Sequence, residues 1–209
     1  MNEFFENLHR IGIVPVIKIN DANQAIDLAR ALCRGGLPAA EITFRSNAAE
    51  DAIYAIAKNV PDVCVCAGTV LTIENAERAV DAGAKAIISP GTNPEVVTWC
   101  IAHGVPVVPG CATPTEIEAC MRMGLDTVKL FPAEVVGGVK MLKALSGPYS
   151  NMKFMPTGGV SPSNVGDYLT LSNVVACGGS WIAPEKLLDA REFDQIEKLA
   201  RDAANLVAR

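Results

Sequence analysis

Ala86-Ile87-Ile88-Ser89-Pro90-Gly91-Thr92-Asn93-Pro94-Glu95-Val96-Val97-Thr98-Trp99-Cys100-Ile101-Ala102-His103-Gly104-Val105-Pro106-Val107-Val108 reads as one complete strand, helix and strand. A β-branched run ends in Ser, Pro and Gly, and Thr92-Asn93-Pro94 then supplies a cap and first turn. The helical stretch over 93–103 closes at Gly104, where the next apolar run begins. The same cycle runs along the whole chain. Strands are predicted at 13–19, 39–44, 63–69, 86–89, 105–108, 127–131, 153–157 and 174–177. Helices are predicted near 21–34, 47–59, 72–82, 93–103, 114–123, 138–145, 162–170 and 185–208. Asn20-Asp21, Ser46-Asn47, Thr113-Pro114 and Ser161-Pro162 are further cap candidates, and Gly35-Gly36, Gly83 and Gly124 further stops. Residues 1–10 are predicted as a short helix ahead of the first strand. Units of about 26 residues match a (β/α)8 TIM barrel as one domain spanning 1–209. The competing doubly wound sheet lacks a G-x-G-x-x-G after its first strand.

Half of the 209 residues are apolar and 20% charged, with a net charge of −5 and no run of like charges. Nothing here builds a nucleic-acid surface. Glu3 and Glu6 interrupt the apolar N-terminus, so no signal peptide is predicted, and no apolar run has the length to cross a membrane. A soluble cytoplasmic protein is expected, with seven reduced cysteines. Two distant histidines give little for a metal centre or a Ser-His-Asp triad, so neither metal nor cofactor is expected.

In a barrel of this kind, chemistry belongs at the C-terminal strand ends. In Ala40-Glu41-Ile42-Thr43-Phe44-Arg45, period-two alternation turns Glu41, Thr43 and Arg45 inward and Ile42 and Phe44 toward the helices. The alternative is a structural ion pair across one pleat. In Thr127-Val128-Lys129-Leu130-Phe131-Pro132, Lys129 faces inward with Thr127 and Phe131. A desolvated amine loses stability as its cation, which favours the free base that Schiff-base formation requires. The alternatives are a lysine that holds a phosphate as a point charge, or one that reaches water. Lys18 and Lys153 are competing amines. Thr157-Gly158-Gly159 and Gly178-Gly179-Ser180 end the last two strands, the usual phosphate loops of a barrel. Thr69, after Ala67-Gly68, is either a ligand hydroxyl or a helix cap, and Ser89-Pro90-Gly91 ends the fourth strand.

Glu41-Ile42-Thr43-Phe44-Arg45, Ala67-Gly68-Thr69-Val70, Ser89-Pro90-Gly91, Lys129-Leu130-Phe131-Pro132-Ala133-Glu134, Pro156-Thr157-Gly158-Gly159-Val160-Ser161-Pro162 and Gly178-Gly179-Ser180-Trp181 together resemble one family. It is the 2-keto-3-deoxy-6-phosphogluconate (KDPG) and 4-hydroxy-2-oxoglutarate (KHG) aldolases, and the likeness extends over about residues 13–184. The resemblance implies a metal-free class I aldolase on a (β/α)8 barrel, assembled as a homotrimer. Lys129 would form the Schiff base and Glu41 act as general acid and base. Arg45 and Thr69 would hold the keto-acid carboxylate, and Thr157 the substrate hydroxyls. Gly158, Gly159, Gly179 and Ser180 would surround the phosphate, with Phe131 and Pro90 lining the pocket. The 6-phosphogalactonate aldolases are similar to a lesser degree and stand as a substrate variant.

Two other classes compete. A phosphosugar isomerase or epimerase would share the phosphate loops and use a carboxylate base without a covalent intermediate. A non-catalytic barrel would bind a phosphorylated metabolite without turning it over.

Overall fold

Alternating strands and helices run through the computed structural model, which describes residues 3–207. The first half contains α1 (Glu3–Ile11), β1 (Ile13–Ile17), α2 (Ala25–Arg34), β2 (Ala39–Thr43), α3 (Ala49–Asn59), β3 (Cys64–Gly68), α4 (Ile73–Asp81), β4 (Ile87–Ile88) and α5 (Pro94–Ala102). The second contains β5 (Val107–Val108), β6 (Gly110–Cys111), α6 (Pro114–Arg122), β7 (Thr127–Leu130), α7 (Gly138–Leu145), β8 (Lys153–Phe154), α8 (Val165–Leu169), β9 (Cys177–Gly179), α9 (Glu185–Asp189) and α10 (Phe193–Asn205).

Every strand pairing is parallel, in the orders β5-β4-β3-β2-β1-β9 and β6-β7-β8. Isolated parallel bridges join Phe154 to Val174 and Thr157 to Gly178. Only Pro109 separates β5 from β6. The architecture is an α/β fold with a curled parallel sheet, as expected for strands joined through helices. Val128 and Leu130 are fully buried, each worth on the order of 2 kcal/mol. Their burial fixes a register in which Lys129 takes the opposite face of β7.

Several predicted boundaries move, for identifiable reasons. The run at 105–108 holds its strand only at Val107–Val108, and a separate pair forms at Gly110–Cys111. Pro106 and Pro109 bring no N–H to a ladder. Residues 153–157 pair along their length, with Lys153 N donating to Asp126 O at 2.8 Å, Met155 N to Val128 O at 2.9 Å and Thr157 N to Leu130 O at 3.0 Å. Only Lys153–Phe154 keep strand geometry, and Pro156 interrupts the rest. The final strand begins at Cys177 and takes in the Gly-Gly step expected to lie in the loop beyond it. A Cβ at Gly178 would collide with Thr157 Oγ1, and one at Gly179 with the Trp181 ring, so both positions need glycine. The helix predicted over 185–208 breaks into α9 and α10 at Arg191, whose φ is +56°.

The caps divide likewise. Asn93 accepts from Glu95 N, and Thr113 forms a reciprocal capping box with Glu116. Asp21 caps a single 3-10 turn over Ala22–Gln24. Ala48 is the N-cap of α3 and offers no side-chain cap, so Ser46 and Asn47 do not serve there, and α8 starts at Val165, beyond Ser161-Pro162. Residues 1 and 2 of the N-terminal helix prediction, and 208 of the last, lie outside the described residues.

Candidate active site

β2 and β7 each bring one charged side chain to the inner face of the sheet. Lys129 Nζ donates to Glu41 Oε1 at 3.1 Å, and the two side chains are 5% and 1% exposed. Glu41 Oε2 is buried and has no partner among the described residues. One carboxylate oxygen thus holds the amine while the other carries an unused acceptor, an expensive arrangement in a dry interior unless a reactant or water completes it. A Cβ at Gly68, on the adjacent strand β3, would run into the Glu41 carboxylate. Glycine there makes room for the acid. Lys129 Nζ also lies 5.4 Å from the centre of the Phe131 ring, which shields one side of the amine.

Arg45 stands just past β2 at the exposed rim. Its Nε donates to Thr43 Oγ1 at 3.1 Å, and Thr43 Oγ1 donates in turn to Ile17 O at 3.0 Å. Thr43 is buried, so the guanidinium is anchored through a fixed hydroxyl, and among the described residues nothing accepts from its two terminal nitrogens. That leaves a planar pair of donors for a carboxylate. Period two had put Thr43 on the inner face without giving it a task.

Thr69 has φ +56°, a region that β-branched residues enter only under constraint. Thr72 caps α4 by accepting from Asn75 N, which removes the cap reading of Thr69, and the Thr69 hydroxyl has no hydrogen bond among the described residues. Pro90 is half-buried on the loop after β4, where Ser89 Oγ donates to Gly91 O at 2.8 Å.

Gly158 and Gly159 follow the buried Thr157 with φ of +96° and +80°. The N–H groups of Gly158, Gly159 and Ser180 find no acceptor among the described residues. Successive free N–H groups in left-handed turns make an anion-binding concavity. The loop after β7 is stitched to this one, since Ala133 N donates to Thr157 O at 2.8 Å and Glu134 N to Gly158 O at 3.0 Å. The Glu134 carboxylate accepts from Tyr168 OH, and a Cβ at Gly159 would lie 2.6 Å from Glu134 Cγ. Burial, reinforced by Glu134, pushes the Tyr168 phenol up, so it stays a donor. No periodicity singles out this brace, because it joins a loop to a helix.

The competing lysines go elsewhere. Lys18 Nζ pairs with Glu185 at 2.8 Å near the rim, and Lys153 Nζ donates to Ser172 O at 3.0 Å. The seven cysteines are all free. Cys66, in register with Glu41, has its thiol pushed far up by the neighbouring Cys64, by burial and by the Glu41 charge.

An inner Lys–Glu pair, an arginine at one rim and an anion loop at another fit an amine-centred reaction on an anionic substrate. A family model described as "Aldolase: KDPG and KHG aldolase" matches residues 5–199. The chain belongs to the KDPG and KHG aldolase family. It is 45% identical over 205 residues to the 2-dehydro-3-deoxy-phosphogluconate aldolase of Haemophilus influenzae, covering 98% of this chain and 97% of that one. It is 44% identical over 191 residues to the KHG/KDPG aldolase of Escherichia coli K12, covering 91% and 90%. Among solved structures, KDPG aldolase from Legionella pneumophila, with pyruvate captured at low pH as a covalent carbinolamine, matches with TM-score 0.90 at 36% identity, over 94% of this chain and 96% of that chain.

Proposed function

We propose that this member of the KDPG and KHG aldolase family is a class I aldolase. It cleaves 2-dehydro-3-deoxy-6-phosphogluconate to pyruvate and glyceraldehyde 3-phosphate, or 4-hydroxy-2-oxoglutarate to pyruvate and glyoxylate. The observation that carries the reading is the buried Lys129–Glu41 pair with its unpartnered Oε2. In this reading Lys129 passes a proton to Glu41 and the neutral amine attacks the keto carbon. Glu41 returns that proton to the carbinolamine hydroxyl, which leaves as water and gives a protonated imine. Glu41 then removes the proton from the C4 hydroxyl, directly or through a water. The bond between C3 and C4 breaks, its electrons enter the iminium, and the aldehyde leaves. Protonation and hydrolysis of the enamine release pyruvate and restore the amine.

Arg45 and Thr69 hold the keto-acid carboxylate in the proposal, and Pro90 and Phe131 border it. Thr157 meets the substrate hydroxyls. Gly158, Gly159, Gly179 and Ser180 receive the distal phosphate. We further propose that the two ladders close as one (β/α)8 barrel forming a single domain. The bridges at Phe154–Val174 and Thr157–Gly178 support closure, as does the reach of Lys129, on one ladder, to Glu41 on the other. Assembly as a homotrimer follows the family resemblance, and free thiols are consistent with a cytoplasmic setting.

Borohydride reduction in the presence of pyruvate, followed by intact mass and peptide mapping, tests the chemistry. A stable adduct on Lys129 is expected. A folded protein that yields no adduct would overturn the class I reading in favour of proton transfer or binding alone.

A further inference from the structure

Cys111 on β6 and Cys120 on α6 lie back to back outside the candidate active site. Their sulfurs are 3.6 Å apart and both side chains are buried. Thr92 Oγ1, which donates to Gly110 O at 3.0 Å, lies 3.4 Å from Cys120 Sγ and 3.6 Å from Cys111 Sγ. The pair therefore shares a polar niche in an otherwise apolar layer. The hydrogen bond between the two thiols holds Cys120 below its ordinary value, against burial. Cys64 and Cys66, the other neighbouring pair, are two residues apart on one strand, a spacing near the upper limit for a bridge.

We propose that Cys111 and Cys120 form a redox-active dithiol that closes to a disulfide on reaction with a hydroperoxide and lowers turnover. The Cys120 thiolate attacks one peroxide oxygen. The O–O bond breaks, the departing hydroxide takes up the proton that Cys120 had released and leaves as water, and a sulfenic acid forms. The Cys111 thiol then attacks that sulfur, the S–S bond forms, and the S–O bond breaks with release of a second water. Two thiols lose two electrons, and one hydrogen peroxide becomes two waters. An external thiol reverses the step by exchange.

The consequence for turnover follows from what β6 supports. Lys129 N donates to Pro109 O at 2.9 Å and Phe131 N to Cys111 O at 3.1 Å, so the backbone around Lys129 hangs on this short strand and the proline just before it. Gly110 is in register with Lys129 and packs against the Pro90 carbonyl. Bonding the sulfurs closes their separation by roughly 1.5 Å, and the displacement enters the strand that positions the amine.

The test treats the full chain with hydrogen peroxide, blocks remaining thiols, and digests after glutamate, since Glu116 and Glu118 separate the two cysteines. A peptide pair linked through Cys111 and Cys120, with kcat lowered at least threefold and restored by dithiothreitol, is expected. Cys120→Ser should keep basal activity within twofold and lose the peroxide response. Oxidation that falls first on the half-buried Cys33 or Cys64, without the link, overturns the proposal. A link that leaves kcat unchanged overturns its control of turnover. Because the link is read by mass, failure of the aldolase reading cannot be mistaken for failure of the dithiol.

Discussion

Two Lys–Glu pairs separate contact from chemistry. Lys18 and Glu185 meet at 2.8 Å, closer than the 3.1 Å of Lys129 and Glu41, yet they are 30% and 48% exposed. Water and salt screen the rim pair, so its contact contributes little. The inner pair has no such screening, and losing one member of a buried pair typically costs about 3–5 kcal/mol because the other charge is stranded. What distinguishes the amine proposed to react is its surroundings: burial on β7 facing β2, an aromatic ring beside it, and a carboxylate oxygen with no donor among the described residues.

The largest expected effect is at the inner amine. Lys129→Ala should lower kcat by roughly 10⁴-fold or more, with circular dichroism unchanged and no borohydride adduct. Retained turnover would transfer the nucleophile to Lys18 and invert the comparison. Glu41→Gln comes next, with kcat reduced about 10²- to 10⁴-fold while the pyruvate adduct at Lys129 still forms slowly. Arg45→Lys should raise KM for the keto acid about tenfold with a smaller change in kcat, since a point charge replaces a planar fork. Steady-state kinetics separates the two terms.

At the rim, Lys18→Gln should change kcat/KM less than about threefold. The Lys18 ammonium, through its hydrogen bond, holds the Glu185 carboxyl below its ordinary value of 4.5. A lowered carboxyl binds fewer protons in the folded state than in the unfolded one. Its small stabilisation is thus present above pH 4.5 and fades as pH falls through the folded value. Thermal melts of the wild type and Glu185→Gln should differ most at neutral pH in low salt, and converge in acid or high salt.

The legible part of this molecule was the part written in short periods. Alternation alone turned Lys129 and Glu41 inward, because Val128, Leu130 and Ile42 could be buried only on the other face. The glycines that stop α2, α4, α5 and α6 were readable for a similarly local reason: Gly36, Gly83, Gly104 and Gly124 adopt positive φ. Strand ends were less readable, since proline shortened 105–108 and 153–157, and β9 runs through Gly178 and Gly179, where Thr157 and the Trp181 ring leave no room for a Cβ.

Sequence by itself determined the cycle of strands and helices, which side chains face inward, and the family to which the chain belongs. The first two depend on periods of two and 3.6 residues and on turn chemistry, and the family on motifs spread over the chain. Tertiary structure alone decided that Lys129 meets Glu41 across 88 residues and that Thr43 anchors Arg45. It also decided that Thr72, not Thr69, caps α4, and that Cys111 meets Cys120 beneath the strand supporting Lys129. Curvature of the sheet and the lean of each helix set those distances, and neither is encoded in a local pattern.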